Sequence, residues 1–147
     1  MKKRVYASTV VSSDFDTFES IIAGNVPVLH LNNKDVEISH VHQNADVICG
    51  LFVSTQMANL APQHEPGIEA DYSAIEIEAG KGLAYPNAFL YDKARHILLW
   101  EVNTQGMNEK KFETFFRVCD NRNGTNMQCH FYPIVTTDFL ERINRLE

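Results

Sequence analysis

The sequence predicts an α+β domain: a mostly antiparallel sheet of about six or seven strands with two or three helices packed on it. Three observations carry this. Short β-rich segments follow one another through turn residues instead of alternating with helices, which favours hairpin pairing over βαβ crossovers. Phe112, Phe115, Phe116 and Cys119 recur at i, i+3, i+4 and i+7, the single apolar stripe of a helix lying on a core. Finally, 147 residues with nine Phe, five Tyr and one Trp are enough to build one core without a disulfide or a metal.

Taken in order, Lys3 to Val11 is β-branched and aromatic and reads as the first strand. Ser13 caps a helix, with Asp16 as its capping-box partner; Phe15, Phe18 and Ile22 keep helical spacing, and Gly24 stops it. Pro27 opens a short apolar piece, Val28 to Leu31, before the turn Asn32-Asn33-Lys34-Asp35. Strands from Val36 to His42 and from Asp46 to Ser54 flank a hairpin link at Gln43-Asn44-Ala45. Gly50 inside the second marks a bulge or a close backbone approach. From Thr55 to Asp71, Pro62, Pro66 and Gly67 break the periodicity. Loops this long in compact domains are commonly functional, and a short helix over Gln56 to Leu60 would shorten it.

Tyr72 to Ala79 alternates as a strand. Leu83 to Tyr91 carries Pro86, which assigns it an edge or bulged position. Asp92-Lys93-Ala94-Arg95 turns the chain into His96 to Asn103, whose run Ile97-Leu98-Leu99-Trp100 is buried on both faces if the strand is central. Asn108 caps the Phe-rich helix, with Met107 stapled against Phe112, and Asp120 to Gly124 ends it. Met127 to Val135 is a strand, and Thr137 or Asp138 caps a last helix through Phe139, Leu140, Ile143 and Leu146. Its apolar stripe still runs at the final residue without a C-cap, which predicts that residues 1–147 are one domain forming the amino-terminal part of a longer protein.

The charge balance bounds the partners. Thirteen basic residues are scattered among nineteen acidic ones, for a net charge of −6, which counts against non-specific nucleic-acid binding. The local patches Lys2-Lys3-Arg4 and Lys110-Lys111 read as solvated faces. Cys49, Cys119 and Cys129 form an odd set with no Cys-x-x-Cys pair, so neither a disulfide scaffold nor a zinc site is indicated, and each reads as a small buried hydrophobe. No apolar run of secretory-leader length follows Met1-Lys2-Lys3-Arg4, and no stretch approaches a membrane span, which gives a cytoplasmic reading.

Two constellations are candidates for metal-dependent hydrolase or nuclease chemistry. His40 and His42 lie two apart on a strand and would point to one face, with Asp46 as a third ligand across the hairpin. This spacing resembles the His-x-His-x3-Glu start of cupin metal sites, with Asp in place of Glu and without the flanking glycines or the second motif. The alternative is an exposed strand face that carries two histidines. Asp92 with Glu101-Val102-Asn103 resembles the Asp…(Asp/Glu)-x-Lys arrangement of many metal-dependent nucleases, in which carboxylates at a strand end hold magnesium. Asn103 stands where that arrangement has lysine. Cys129 adjoins His130, but strand neighbours face opposite ways, so the two read as core and surface and not as an activated pair. Gly80-Lys81-Gly82 reads as a turn, and the Glu76 and Glu78 pair as a solvated face. Phosphate loops, dinucleotide turns and nucleophile elbows are absent from the sequence.

The cadence Asp46-Val47-Ile48-Cys49-Gly50-Leu51-Phe52, then Phe89-Leu90-Tyr91-Asp92, then Glu101-Val102-Asn103-Thr104-Gln105-Gly106 resembles the amino-terminal half of a group of uncharacterised bacterial proteins, some encoded near mobile-element or phage-defence genes. The resemblance covers the middle of the chain and carries no catalytic motif. It implies a bacterial, defence-related setting.

Together these readings assign no catalytic, cofactor or metal residue. They predict a non-catalytic recognition or assembly domain of a larger intracellular bacterial protein, binding a protein partner or itself through the Thr55 to Asp71 loop and the last-helix stripe. The alternative is the metal-dependent hydrolase built on His40, His42 and Asp46 or on Asp92 and Glu101.

Overall fold

The computed structural model describes residues 4–69, 72–124, 126–134 and 145. In chain order the elements are β1 (Val5–Ser12), α1 (Phe15–Ile22), β2 (Leu29–Leu31), β3 (Lys34–Gln43), β4 (Val47–Gln56), β5 (Gln63–His64), β6 (Tyr72–Ser73), β7 (Leu83–Asp92), β8 (Ile97–Glu101), α2 (Glu109–Asn123) and β9 (Cys129–Pro133). Seven strands form one sheet in the order β2-β3-β4-β7-β8-β1-β9, with every described pairing antiparallel, while β5 and β6 form a separate two-stranded piece. This is the α+β architecture expected from serial hairpins. The predicted last helix through Phe139, Leu140, Ile143 and Leu146 lies outside the described residues.

Both helices pack on one face of the sheet. Phe18 of α1 stacks on Phe116 of α2 with ring centroids 4.6 Å apart and meets Tyr91 of β7 edge-on at 5.0 Å. Phe112 sits between Phe52 of β4, Trp100 of β8 and Phe131 of β9. Phe112, Phe115, Phe116 and Cys119 are all buried, as the helical spacing predicts. Each buried Phe contributes roughly 1.5–3 kcal/mol in transfer terms.

The caps explain where the helices begin. Asp14, not Ser13, caps α1: its carboxylate accepts from the Thr17 N–H at 3.1 Å and from the Thr17 hydroxyl at 2.6 Å. Ser13 is instead tied to the approach to β9, with its N–H donating to the Gln128 carbonyl and its hydroxyl accepting from the Gln128 N–H. Asn108 caps α2 as expected, accepting from the Lys111 N–H, and Gly124 closes the helix in the left-handed conformation.

Gly50 meets both of its predicted roles. Pairing between β3 and β4 shifts between Ser39 and His42, so two residues of β3 oppose Gly50. A Cβ there would come within 3.1 Å of the Phe89 ring and 3.0 Å of the Ser39 carbonyl.

Two strand expectations and one helix expectation need correction. The strand predicted from Tyr72 to Ala79 is paired only at Tyr72–Ser73; its alternation of Glu76 and Glu78 with Ile75 and Ile77 is that of a half-exposed extended segment. No helix covers 56–60. Gln56 closes β4, and its side-chain amide donates to the Ala58 and Asn59 carbonyls, bending the chain where Asn59 takes a positive φ. Pro86 lies in a central strand: β7 runs between β4 and β8. Proline is accommodated because the described β7–β8 pairing begins only at Phe89, leaving Pro86 a local edge on that side.

Candidate interaction face

Residues directly opposite one another on paired strands share a face, so the registers define what the helices leave uncovered. Leu90 lies between Cys49 of β4 and Leu99 of β8, and Leu99 in turn opposes Ala7 of β1. The next row on one side runs Leu51–Ala88, and beyond it Val53–Pro86. On the other side runs Val47–Asp92–Ile97–Thr9–Tyr132. The outer face of the sheet is therefore apolar across its centre. Val5 is 61% exposed, Val11 48%, Leu90 37% and Tyr132 56%.

The run Ile97-Leu98-Leu99-Trp100 makes the same point within one strand. β8 is central, yet only Leu98 and Trp100 are buried, while Ile97 and Leu99 are half-exposed on the outer face. The expectation of burial on both faces is not met, because both helices pack on the opposite side. Sequence reasoning missed this face. The available signal was a shortage of cover: apart from the last stripe, only two helical stripes face seven strands, of which β4 and β8 are apolar on both parities.

The predicted metal ligands are not assembled. His40 sits in the bulge with φ of 53°, its Nδ1 3.0 Å from the Ser39 hydroxyl, so it leaves the regular alternation that would align it with His42. Val41 between them packs against the core, and His42 opposes Cys49 on the outer face. Asp46 is exposed in the β3–β4 turn. Among the described residues no group of three His, Cys, Asp or Glu side chains is placed to hold a metal ion.

Asp92 and Glu101 lie at opposite ends of the β7–β8 hairpin, since Asp92 opposes Ile97 and Glu101 is four residues further along β8. At about 3.4 Å per residue they are roughly 14 Å apart and share no ion. Asp92 serves the turn. Its carboxylate accepts from the N–H groups of Ala94 and Arg95 and from the Arg95 guanidinium at 2.8 Å. The Arg95 bonds hold its pKa below the ordinary carboxylate value.

Cys129 and His130 diverge as strand neighbours should, with His130 opposing Val11 on the outer face. Burial pushes the Cys129 thiol up to about 12, and Glu113 adds to the effect. Burial likewise pushes Cys119 up to about 12.

The predicted loop from Thr55 to Asp71 contains β5, which pairs with β6 just beyond it to form a small arm; His64 and Tyr72 stack with centroids 4.3 Å apart, and Met57, Ile68 and Tyr72 are exposed. No described helix is long and apolar enough to cross a membrane. Comparison with protein-family models, with curated proteins and with solved structures returns no match.

Proposed function

We propose that this chain is a non-catalytic recognition or assembly domain of a larger cytoplasmic bacterial protein with a part in defence, and that its working surface is the outer face of the sheet. One observation carries the reading: the central strands present Leu90, Leu99, Ile97 and Val11 away from the helices, with no described element over them. An apolar row running Cys49–Leu90–Leu99–Ala7 across four strands is what protein contact surfaces carry and what lone soluble domains avoid. The arm at Met57, Ile68 and Tyr72 offers a second contact. The bacterial, defence-linked setting rests on the resemblance at 46–52, 89–92 and 101–106.

The test is the oligomeric state of the purified domain by light scattering across a concentration series. In the absence of its partner the wild type self-associates, while Leu90→Lys is monomeric and melts cooperatively near the wild-type temperature. Two outcomes overturn the reading. One is a wild type that stays monomeric throughout the series. The other is a Leu90→Lys variant that loses as much stability as a core substitution, which would make the face an interior covered by the chain's own residues.

A further inference from the structure

On the helix side of the sheet a cleft of about 120 Å³ opens between the β2–β3 hairpin and the start of α2. Leu31, Val36 and Met107 form apolar walls, and the buried Ser54 of β4 lies beside them. Two lysines from distant parts of the chain meet there, Lys34 from β3 and Lys111 from α2. Their ammonium groups are held by consecutive carbonyls: Lys34 donates to Gln105, and Lys111 donates to Gly106 at 2.9 Å. Lys34 also lies over the Tyr85 ring, 4.8 Å from its centroid. The sequence reading of Lys110-Lys111 as a solvated face therefore fails at Lys111, which is half-buried.

This arrangement is electrostatically uncompensated. No carboxylate lines the cleft, and neither lysine has an ion-pair partner among the described residues, in a chain where acids outnumber bases nineteen to thirteen. Burial, and after it the charge of Lys111, lowers the pKa of Lys34 from its ordinary value. Two like charges brought together beside apolar walls favour an anion between them.

We propose that the cleft binds a small organic carboxylate, its charged head bridging Lys34 and Lys111 and its apolar body lying on Leu31, Val36 and Met107. The apolar walls favour a carboxylate with a short hydrocarbon body over a bare inorganic anion. The site lies on the opposite side of the sheet from the outer face, so its failure and the failure of the assembly reading are separate results.

Hexanoate and phenylacetate titrated into the isotope-labelled protein test the proposal, followed through the amide signals of Gly106, Met107, Lys111 and Thr114. Saturable shifts confined to these residues at millimolar ligand are expected, with none from 1-hexanol or inorganic phosphate. Lys111→Gln weakens binding roughly tenfold or more, as expected for loss of a charge-assisted bond. Thr114→Trp, a partly exposed helix position that lines the cleft, blocks binding by filling it. The proposal is overturned by an absence of saturable shifts, by hexanol or phosphate binding as well as hexanoate, or by undiminished hexanoate binding in either variant.

Discussion

A Cβ placed on Gly106 would lie 2.1 Å from Oδ1 of Asn87. Asn87 cannot step aside, because it is fully buried and both ends of its amide are engaged: Nδ2 donates to the Glu101 carbonyl at 2.8 Å and Oδ1 accepts from the Met107 N–H at 2.8 Å. One side chain thereby fixes the exit from β8 and the entry to α2, and with them both carbonyls that hold the lysines. Gly106→Ala should destabilise the domain by about 2–3 kcal/mol through overpacking and a broken buried bond. Urea unfolding with an unchanged m-value checks this, and an unaltered midpoint would mean that the loop is not pinned.

Asn87→Ala leaves the Met107 N–H and the Glu101 carbonyl without that partner, at a cost of about 1–3 kcal/mol for each group left unsatisfied. It also removes the atom that a methyl group added at Gly106 would strike. Gly106→Ala should therefore cost less in the Asn87→Ala background than in the wild type, with a coupling of about 1 kcal/mol or more in a double-mutant cycle. Additive losses would contradict the close approach.

The stacked pair Phe18 and Phe116, both fully buried, joins the two helices over Tyr91 and Phe131. Phe116→Ala should lose about 3–5 kcal/mol, a large fraction of a domain's stability. Thermal unfolding checks it, and a loss under about 1 kcal/mol would show that the aromatic layer is not the core.

The features that specify these elements are mostly local, which is why they were legible in the sequence. The Phe112 to Cys119 stripe and the Asn108 cap each depend on residues within a few positions. What was not legible depends on strand registers and on how separate elements pack together. His40 and His42 are two apart in sequence, but a bulge set by pairing with β4 breaks their alignment. Asp92 and Glu101 flank one hairpin, and only the strand pairing shows that they sit at its opposite ends. The meeting of Lys34 and Lys111 needs the β2–β3 hairpin and the Asn87-pinned loop to be placed together. The open outer face depends on both helices choosing the same side, and an apolar run such as 97–100 carries no sign of which side that is.

The turn carboxylates give stability a defined pH dependence. The Thr17 hydroxyl and then the Thr17 N–H hold Asp14 below its ordinary value of 3.8, and the Arg95 N–H and guanidinium do the same for Asp92. A carboxylate whose folded pKa is depressed contributes fully above its unfolded pKa, and the contribution is lost as pH falls through the folded one. The gap in melting temperature between wild type and Asp92→Asn should be constant above about pH 5 and narrow progressively as pH falls below about 4. A gap that does not narrow on acidification, or that widens, would contradict the bonding pattern.

The three cysteines should differ sharply in reactivity. The thiolate is the nucleophile, and a thiol held at about 12, as burial holds Cys119 and Cys129, is ionised at pH 8 to only about one part in ten thousand. Cys49 differs in place: it is half-exposed on the outer face beside Leu90, with its sulfur 3.5 Å from the His42 carbonyl. A disulfide reagent at pH 8 should therefore modify one thiol of the native protein in its fast phase, and peptide mapping should place it at Cys49. Cys119, which is buried, should react only at the rate of unfolding, and Cys129 slowly because its thiol is scarcely ionised; Cys49→Ser should remove the fast phase. Fast modification of Cys119, the one fully buried thiol of the three, would instead mean that the space beneath α2 opens readily.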